Sequence, residues 1–250
     1  MKGEIDLSHI ISLKNRVAIV TGASRGIGRS IAKTLADKGV HLALVARSLE
    51  KMKTLEKEIQ TKGIKMRIFP VDISEPSVPE VVVKETIEEF GRLDFLINNA
   101  GIALSKPLIE TTVEEWDRQM MVNARAPFLF SREAIPYLKK SDAPSIVNIS
   151  SVVGYKGYVL QRAYTASNHA LMGMTKVLAQ EVHQDGIRVY TISPGGVDTE
   201  LAWNMRPDLD RSILISPQEI ADLILYLLQH RGNAMIDEIN VRRVTNQPWK

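Results

Sequence analysis

The chain has 250 residues, 44% of them hydrophobic and 24% charged, which is enough to fill the core of one large α/β domain. The net charge is only +3, and no basic stripe with interleaved aromatic residues occurs, so nucleic-acid binding is not expected. The absence of cysteine excludes disulfides, thiolate metal sites and a cysteine nucleophile.

The first twelve residues lack a basic segment followed by an apolar one, and no apolar run is long enough to cross a bilayer. The five histidines are scattered without the spacing of metal ligands. We therefore expect a cytoplasmic protein with no membrane contact and no metal site.

Strand-like and helix-like segments alternate along almost the whole chain. Apolar or β-branched runs predict seven strands, at residues 17–20, 41–46, 66–71, 93–97, 145–149, 188–192 and 236–242. Helices are predicted between them, among them 79–90, 114–130, 162–184 and one that begins with Ser216 as N-cap and Pro217 in its first turn. This alternation predicts an α/β fold with a parallel sheet covered on both faces. Neither a linker nor a repeat interrupts it, so we expect a single domain.

A glycine-rich turn, TGASRGIG at residues 21–28, joins the first strand to an amphipathic helix. Its glycines, Gly22, Gly26 and Gly28, allow a ligand to approach the backbone closely, and the free N–H groups of the helix start favour a phosphate. A turn of this kind can also bind nothing. Its place after a buried strand and before a helix favours nucleotide binding.

Arg47 and Ser48 follow the second strand, where the adenosine ribose of a dinucleotide would lie. NAD-selective sites usually carry a carboxylate at this point, whereas here Arg47 and Arg25 bring two guanidinium groups that suit a 2′-phosphate. The pattern favours NADP(H) over NAD(H), the alternative being that both arginines are solvated surface residues.

Further polar residues follow the third and fourth strands. Asp72 is a candidate acceptor for an adenine amino group or, alternatively, a turn or helix cap. The run Asn98-Asn99-Ala100-Gly101 provides small residues on which a flat ring can pack, although such a run is also typical of a turn.

These motifs, together with Ser151 followed by Tyr164 and with SPGGVDT at residues 193–199, resemble the short-chain dehydrogenase/reductases over residues 13–244. The resemblance implies a Rossmann-type, doubly wound sheet of seven parallel strands, NADP(H) as cofactor and a small ketone or secondary alcohol as substrate. It also implies a homodimer or homotetramer formed through the long helices around Asn123 and Tyr164. Oxoacyl-carrier-protein reductases often end the last strand with a glycine-rich tail, whereas residues 242–247 here are more similar to the broader carbonyl reductase branches.

The cofactor contacts that the resemblance implies lie at the ends of the strands. They are Gly22, Ser24, Arg25, Gly26, Ile27, Gly28, Arg47, Ser48, Asp72, Ile73, Asn99, Ala100, Gly101, Tyr164, Asn168, Pro194, Gly195, Val197 and Thr199.

In this family a tyrosine donates a proton to the substrate carbonyl, and a serine hydrogen-bonds the same oxygen. Tyr164 and Ser151 match these positions; Ser150 is the alternative serine, but its spacing to Tyr164 fits less well. Asn123 matches an asparagine that bends its helix and holds a water in the proton relay. Without the resemblance it is a mid-helix polar residue with a local backbone bond.

The family motif Tyr-x-x-x-Lys is broken, because Asn168 stands where the lysine is expected. The lysine binds the nicotinamide ribose and lowers the tyrosine pKa by its charge. Asn168 can bond the ribose but carries no charge, and the sequence leaves open whether Lys156 or Arg162 folds into its place. We therefore expect weak reduction and still weaker alcohol oxidation.

The substrate end is predicted around residues 198–214, which we interpret as a lid. Trp203, Met205 and Tyr158, with Ser151, are the candidate substrate contacts, and Tyr155 lies in the same loop as Tyr158. Ordinary packing is the alternative for each apolar side chain.

Two other functions remain open at this level. An NADP(H)-binding protein without turnover, either an inactive variant or a sensor or scaffold, is compatible with the broken motif. An NAD(H) enzyme is the other alternative, and the two arginines argue against it.

Overall fold

The computed structural model describes residues 9–248. Most of the first twelve residues, which the sequence analysis considered, lie outside this range. All seven strands form one parallel sheet in the order β3-β2-β1-β4-β5-β6-β7, which confirms the predicted architecture. The strands are β1 (Val17–Thr21), β2 (His41–Val45), β3 (Met66–Phe69), β4 (Phe95–Asn98), β5 (Ser145–Ile149), β6 (Arg188–Pro194) and β7 (Glu238–Val241).

Helices cover both faces of this sheet. They are α1 (Gly26–Asp37), α2 (Leu49–Ile59), α3 (Val78–Phe90), α4 (Val113–Met120), α5 (Ala126–Leu138), α6 (Arg162–Glu181), α7 (Glu200–Met205) and α8 (Pro217–Gln229). Ser216 is the N-cap of α8 and forms a capping box with Glu219, which confirms the helix start predicted there. The third strand is shorter than predicted, since it ends at Phe69 before Pro70, which has no N–H for the ladder.

The core lies in two layers, one on each side of the sheet. Ala18 and Val20 of β1 pack into the layer beneath α1 and α8, whereas Val17 and Ile19 pack into the layer beneath α3 and α5. Successive strand residues point to opposite faces, so a strand buried on both faces must be continuously apolar. That is why the strands could be recognised as uninterrupted apolar runs.

The helix predicted at 114–130 is different in the structure. A single π-helical turn, Met121–Arg125, interrupts it between α4 and α5, and the helix continues to Leu138 instead of ending at 130. The extension follows from a buried stripe at helical spacing, Phe130, Ala134 and Leu138. The π turn contains Asn123 and places it at the site described below.

The order of the strands determines where a ligand can bind. The chain runs outward from β1 through β2 to β3 and then returns to β4, on the other side of β1. The connections after β1 and β4 therefore leave in opposite directions and open a crevice at the carboxyl ends of these strands. The residues that follow each strand line this crevice.

Candidate active site

A cavity of about 660 Å³ lies at the carboxyl ends of the strands. Most of the predicted site residues line it: Gly22, Ser24, Arg25, Gly26, Ile27, Arg47, Ser48, Asp72, Ile73, Asn99, Ala100, Gly101, Asn123, Ser151, Tyr158, Tyr164, Asn168, Pro194, Gly195, Val197, Thr199 and Met205. Gly28 and Trp203 do not line it. The structure therefore brings the cofactor, proton-transfer and most substrate candidates into one space.

The glycines of the first turn have different structural roles. Gly22 and Gly26 adopt positive φ values of 69° and 53°, a backbone conformation that suits glycine, and both line the cavity. Gly28 lies behind them, where an added Cβ would be 2.3 Å from the carbonyl oxygen of Gly22. This position gives Gly28 a packing role, since it allows α1 to pack closely on the turn, and Gly28 does not line the cavity as the other predicted contacts of the turn do.

The N-terminus of α1 opens on the cavity. No side chain caps it, and its first turn contains no acidic residue, while Gly26 and Ile27 line the cavity. The unpaired N–H groups at a helix start and the positive end of the helix dipole favour an anion. This end of the cavity therefore fits a phosphate group.

A charged cluster lies beside α1. The Arg25 guanidinium contacts the Glu200 carboxylate, and the Lys51 Nζ lies 3.0 Å from a Glu200 oxygen. Hydrogen bonding by Lys51, together with the charges of Arg25 and Lys51, lowers the pKa of Glu200. The Arg25 side chain is 48% exposed, and it contacts an anionic group near the place where a 2′-phosphate was predicted.

Asp72 is held in place by two partners. One carboxylate oxygen accepts from the Ser74 backbone N–H at 3.0 Å and the other from the Arg118 guanidinium at 2.5 Å. Burial alone would raise the pKa of Asp72, but these hydrogen bonds hold it below its ordinary value. Asp72 caps the turn, as one of the two sequence interpretations proposed, and it also lines the cavity.

The two asparagines at the end of β4, Asn98 and Asn99, connect neighbouring strand ends. Asn99 donates from Nδ2 to the carbonyl of Thr21 at 2.9 Å, and the Thr21 hydroxyl accepts from the Asn99 and Ala100 N–H groups, each at 3.0 Å. Asn98 is buried and donates to the Asn148 side chain at 2.9 Å. The run is therefore a hydrogen-bonded junction between strand ends.

Tyr164 and Ser151 both line the cavity, and their side chains are hydrogen-bonded. Tyr164 is the third residue of α6, and Ser151 follows β5. Burial of the phenol raises the pKa of Tyr164, while hydrogen bonding with Ser151 and Asn168 lowers it by less. Tyr164 is therefore protonated at neutral pH and can donate a proton.

Asn168 lies one helical turn after Tyr164 and is almost fully buried. Its Nδ2 donates to the Tyr164 main-chain carbonyl at 2.8 Å, and its Oδ1 accepts from the Ser150 hydroxyl at 3.1 Å. Ser150, which the spacing ranked behind Ser151, therefore supports Asn168. The amide fills the position of the expected lysine without bringing a charge.

The sequence left open whether Lys156 or Arg162 takes the place of the missing lysine, and neither of them does. Arg162 contacts the Lys106 carbonyl and the Thr111 hydroxyl, and the Lys156 Nζ lies 5.4 Å from the centre of the Tyr158 ring. Within residues 9–248, no cation contributes to the pKa shift of Tyr164.

Asn123, which lies in the π turn, is hydrogen-bonded both to the loop after β4 and to α6. Its Oδ1 accepts from the Ile102 N–H at 2.9 Å, and its Nδ2 donates to the Ile102 carbonyl at 2.8 Å and to the Ser167 hydroxyl at 3.0 Å. These bonds connect the loop after β4 to α6, which carries Tyr164. The sequence alone suggested a local backbone bond, but these three bonds go to two residues, Ile102 and Ser167, that are distant in sequence.

The predicted lid contains α7, and only part of it faces the cavity. Met205 lines the cavity, as does Tyr158. The Trp203 ring instead lies 3.8 Å beneath the Arg211 guanidinium, and its Nε1 donates to the Asp198 carboxylate at 2.8 Å. Trp203, predicted as a substrate contact, thus packs against residues 198 and 211 and does not line the cavity.

Several residues of the cavity wall were not identified from the sequence. Glu200, Lys51, Arg118, Arg243 and Asn246 all line the cavity. They come from helices and from the tail after β7, and no motif marks them. Only the topology brings them to the strand ends.

The sequence predicted neither a metal site nor a membrane span. Among residues 9–248, no group of three or more histidine or acidic side chains is placed to hold a metal ion. None of the helices described there has both the length and the hydropathy of a membrane span.

A model of the short chain dehydrogenase family matches residues 16–210. An uncharacterized oxidoreductase of Staphylococcus saprophyticus is 35% identical over 240 residues, which is 94% of this chain and 100% of the relative. A similar protein of Staphylococcus epidermidis is 31% identical over 93% of this chain and 99% of its own length.

Solved structures resemble the fold closely. An alcohol dehydrogenase of Thermococcus sibiricus, complexed with 5-hydroxy-NADP, has a TM-score of 0.86 at 28% identity, covering 94% of this chain and 99% of its own. A metagenomic short-chain oxidoreductase in complex with NADP has a TM-score of 0.82 at 34% identity, covering 94% and 100%.

Proposed function

The chain belongs to the short-chain dehydrogenase family, and on that premise we propose that it is an NADP(H)-dependent oxidoreductase that reduces a ketone to a secondary alcohol. The observation that carries the proposal is the contact between a protonated Tyr164 and Ser151 inside the cavity that begins at the glycine turn. The proposal includes the site residues above, with Gly28 and Trp203 assigned to packing.

The cavity suits a dinucleotide phosphate along its length. The open start of α1 fits the diphosphate, and Arg25 and Lys51 beside Arg47 and Ser48 fit a 2′-phosphate. Two relatives of known structure are complexes with NADP or its 5-hydroxy derivative, which supports the same cofactor here. Glu200 would have to give up Arg25 and Lys51 to the phosphate.

The nicotinamide, when bound, supplies the hydride for reduction or accepts it in oxidation. The Tyr164 phenol donates its proton to the carbonyl oxygen of the substrate, on which negative charge develops. The Ser151 hydroxyl donates a hydrogen bond to the same oxygen. Asn168 and Asn123 are positioning residues in this account, because one binds the Tyr164 backbone and the other ties α6 to the loop after β4.

Asn168 makes the two directions of the reaction unequal. Reduction uses the protonated phenol, which a raised pKa preserves, whereas alcohol oxidation needs the phenolate. Without a cation beside Tyr164, the phenolate is scarce at neutral pH. We infer a reductase that is weaker than enzymes with a lysine at this position and that oxidises alcohols more slowly still.

The proposal extends to the assembly. Phe128 on α5 and Val177 on α6 are large apolar side chains with exposed fractions of 46% and 54%, which supports a homodimer or homotetramer formed through these helices. Light scattering of the purified protein measures its mass directly, and a monomer would contradict this part of the proposal.

The test of the proposed function compares both cofactors and a panel of carbonyl compounds. NADPH is expected to bind at least about tenfold more tightly than NADH, because two cations are available for the extra phosphate. Oxidation of NADPH in the presence of some of the ketones is expected as well. Tight NADPH binding without oxidation would favour the cofactor-binding protein without turnover, and preference for NADH would contradict the role of Arg25.

A further inference from the structure

Arg243 lies in the tail that follows β7 and is one of the residues that line the active-site cavity. The Nε and Nη1 atoms are buried and have no hydrogen-bond partner within residues 9–248. Arg243 is half-buried as a whole, and two buried donors without partners are unfavourable, because they have lost water and gained nothing in exchange. The unsatisfied donors therefore point to a ligand group that accepts from them.

The position of Arg243 connects it to the reacting end of the cavity. A Cβ built on Gly196 would lie 3.8 Å from the Arg243 Nε, and the Gly195 N–H donates to the Val241 carbonyl at 2.7 Å. On the other side of the same segment, the Pro194 carbonyl lies 3.5 Å from the Ser151 Oγ. Residues 194–196 thus contact both Ser151 and Arg243, and both residues line the same cavity.

Three of the other arginines that line the cavity already have carboxylate partners, and the fourth, Arg47, follows β2 at the cofactor side. Arg25 contacts Glu200, Arg118 contacts Asp72, and Arg206 lies 2.6 Å from Asp208. In the described chain, Arg243 is not part of any such ion pair. Its charge is therefore available to a ligand without displacing an acidic side chain of the protein.

The tail that carries Arg243 is fixed rather than loose. The Asn246 N–H donates to the Arg243 carbonyl at 3.0 Å, and the Arg242 guanidinium donates to the carbonyls of Arg243 at 3.1 Å and Asn246 at 2.8 Å. These bonds close a turn after β7 and hold the backbone of Arg243 in place. A binding group held in this way loses little freedom when a ligand arrives.

We propose that Arg243 binds a carboxylate of the substrate, so that the substrates are oxo acids and the corresponding hydroxy acids. Guanidinium groups match carboxylates with two parallel N–H donors, and a buried pair of this kind is strong. The inference rests on the proposed function, since it assigns the substrate class of the same site. The phosphates of the cofactor fit the opposite end of the cavity, beside α1.

The test compares α- and β-oxo acids with their methyl esters, which lack the negative charge and carry one additional methyl group. We expect kcat/KM to favour the acids by about 30-fold or more in the unaltered protein. Arg243→Met should remove the preference through a higher KM for the acids, without changing the rates on the esters or the affinity for NADPH. Arg243→Lys should restore part of it, because the charge returns without the paired donors. Arg206→Met, which removes a cation already paired with Asp208, should leave the ratio of acid to ester unchanged.

Two results would overturn the inference. One is the absence of a preference for acids in the unaltered protein; the other is a loss of NADPH affinity in Arg243→Met, which would assign the guanidinium to the cofactor. If no compound is turned over, the proposed function fails, and binding of the acids and esters to the NADPH complex, followed by NADPH fluorescence, still tests Arg243. Tighter binding of the acids that disappears in Arg243→Met supports the carboxylate site, and equal binding contradicts it.

Discussion

The side-chain amide of Asn168 donates to the main-chain carbonyl of Tyr164 at 2.8 Å and accepts from the Ser150 hydroxyl at 3.1 Å. The position that carries a lysine in the family motif is thus occupied by a buried, neutral group with both ends of its amide in hydrogen bonds. Tyr164 is consequently next to a dipole and not next to a positive charge.

Asn168→Lys is expected to increase both reactions, and alcohol oxidation more than reduction. A cation that lowers the Tyr164 pKa by about two units raises the phenolate fraction at neutral pH roughly 100-fold. Initial rates in both directions at pH 7 measure the effect. Asn168→Met is the matched control, because it loses the same hydrogen bonds without gaining charge. Unchanged rates in a folded Asn168→Lys protein would mean that the tyrosine is activated by another group.

The pH dependence of the unaltered protein should differ between the two directions. Because the pKa of Tyr164 is raised from 10.0, the phenol stays protonated, and reduction should be flat with respect to this group from about pH 6 to about pH 9. Oxidation should rise about tenfold per pH unit over the same range, since it follows the phenolate. Rates in both directions across this range are the measurement. A plateau of oxidation near neutral pH would show a lowered pKa and contradict the account.

The charged cluster at Glu200 should control the affinity for NADPH. Arg25→Ala is expected to weaken NADPH about tenfold with little effect on NADH, because only NADPH carries the extra phosphate. Glu200→Gln should strengthen NADPH binding, since it frees Arg25 and Lys51. Fluorescence titration with both cofactors measures this, and Lys53→Ala on the same helix as Lys51 is the control. If Arg25→Ala lowered the affinities for NADPH and NADH equally, Arg25 would not bind the 2′-phosphate.

The opposite edge of the sheet offers a prediction on stability. Asp142 lies 2.8 Å from the Arg16 guanidinium, whose hydrogen bond lowers the pKa of Asp142 to about 2. A carboxylate with a lowered pKa stabilises the fold above its unfolded pKa of 3.8, and this contribution is lost as the pH falls towards 2. The side chain is 72% exposed, so solvent reduces the effect to less than about 1 kcal/mol.

Asp142→Asn should therefore lower the midpoint of urea unfolding slightly at pH 7, and the difference should vanish near pH 2. Asp37→Asn is a suitable control, since Asp37 forms an exposed ion pair with Lys62. A difference that persists unchanged at pH 2 would show that the effect of Asp142 does not depend on its charge.

The sequence predicted the architecture because the sheet is buried on both faces. Strands such as β1, in which all five residues are buried, appear as apolar runs that need no knowledge of their neighbours. The cavity was predictable for the same reason: the residues after each parallel strand meet at one edge of the sheet. Gly22, Ser151 and Tyr164 could all be assigned to that edge from their positions after strands and at a helix start.

What the sequence could not provide depends on contacts between distant segments. The π turn at 121–125 and the bonds of Asn123 to Ile102 and Ser167 are set by tertiary packing, which local periodicity does not record. The contacts of Trp203 could not be predicted for the same reason. Only the structure shows that Arg211 packs on its ring and that Asp198 accepts a hydrogen bond from its Nε1. Arg243 had no local signal, because its burial arises where the tail crosses residues 194–196.

The central claim is that Tyr164 donates the proton in carbonyl reduction although no cation assists it. The direct measurement is the initial rate of NADPH oxidation at pH 7 by the unaltered protein and by Tyr164→Phe, with a carbonyl substrate found in the panel and NADPH affinity recorded for both. We expect Tyr164→Phe to lose at least about 100-fold in rate while it binds NADPH equally well. Equal rates in the two proteins, or no oxidation above the background of Tyr164→Phe with any compound, would contradict the account.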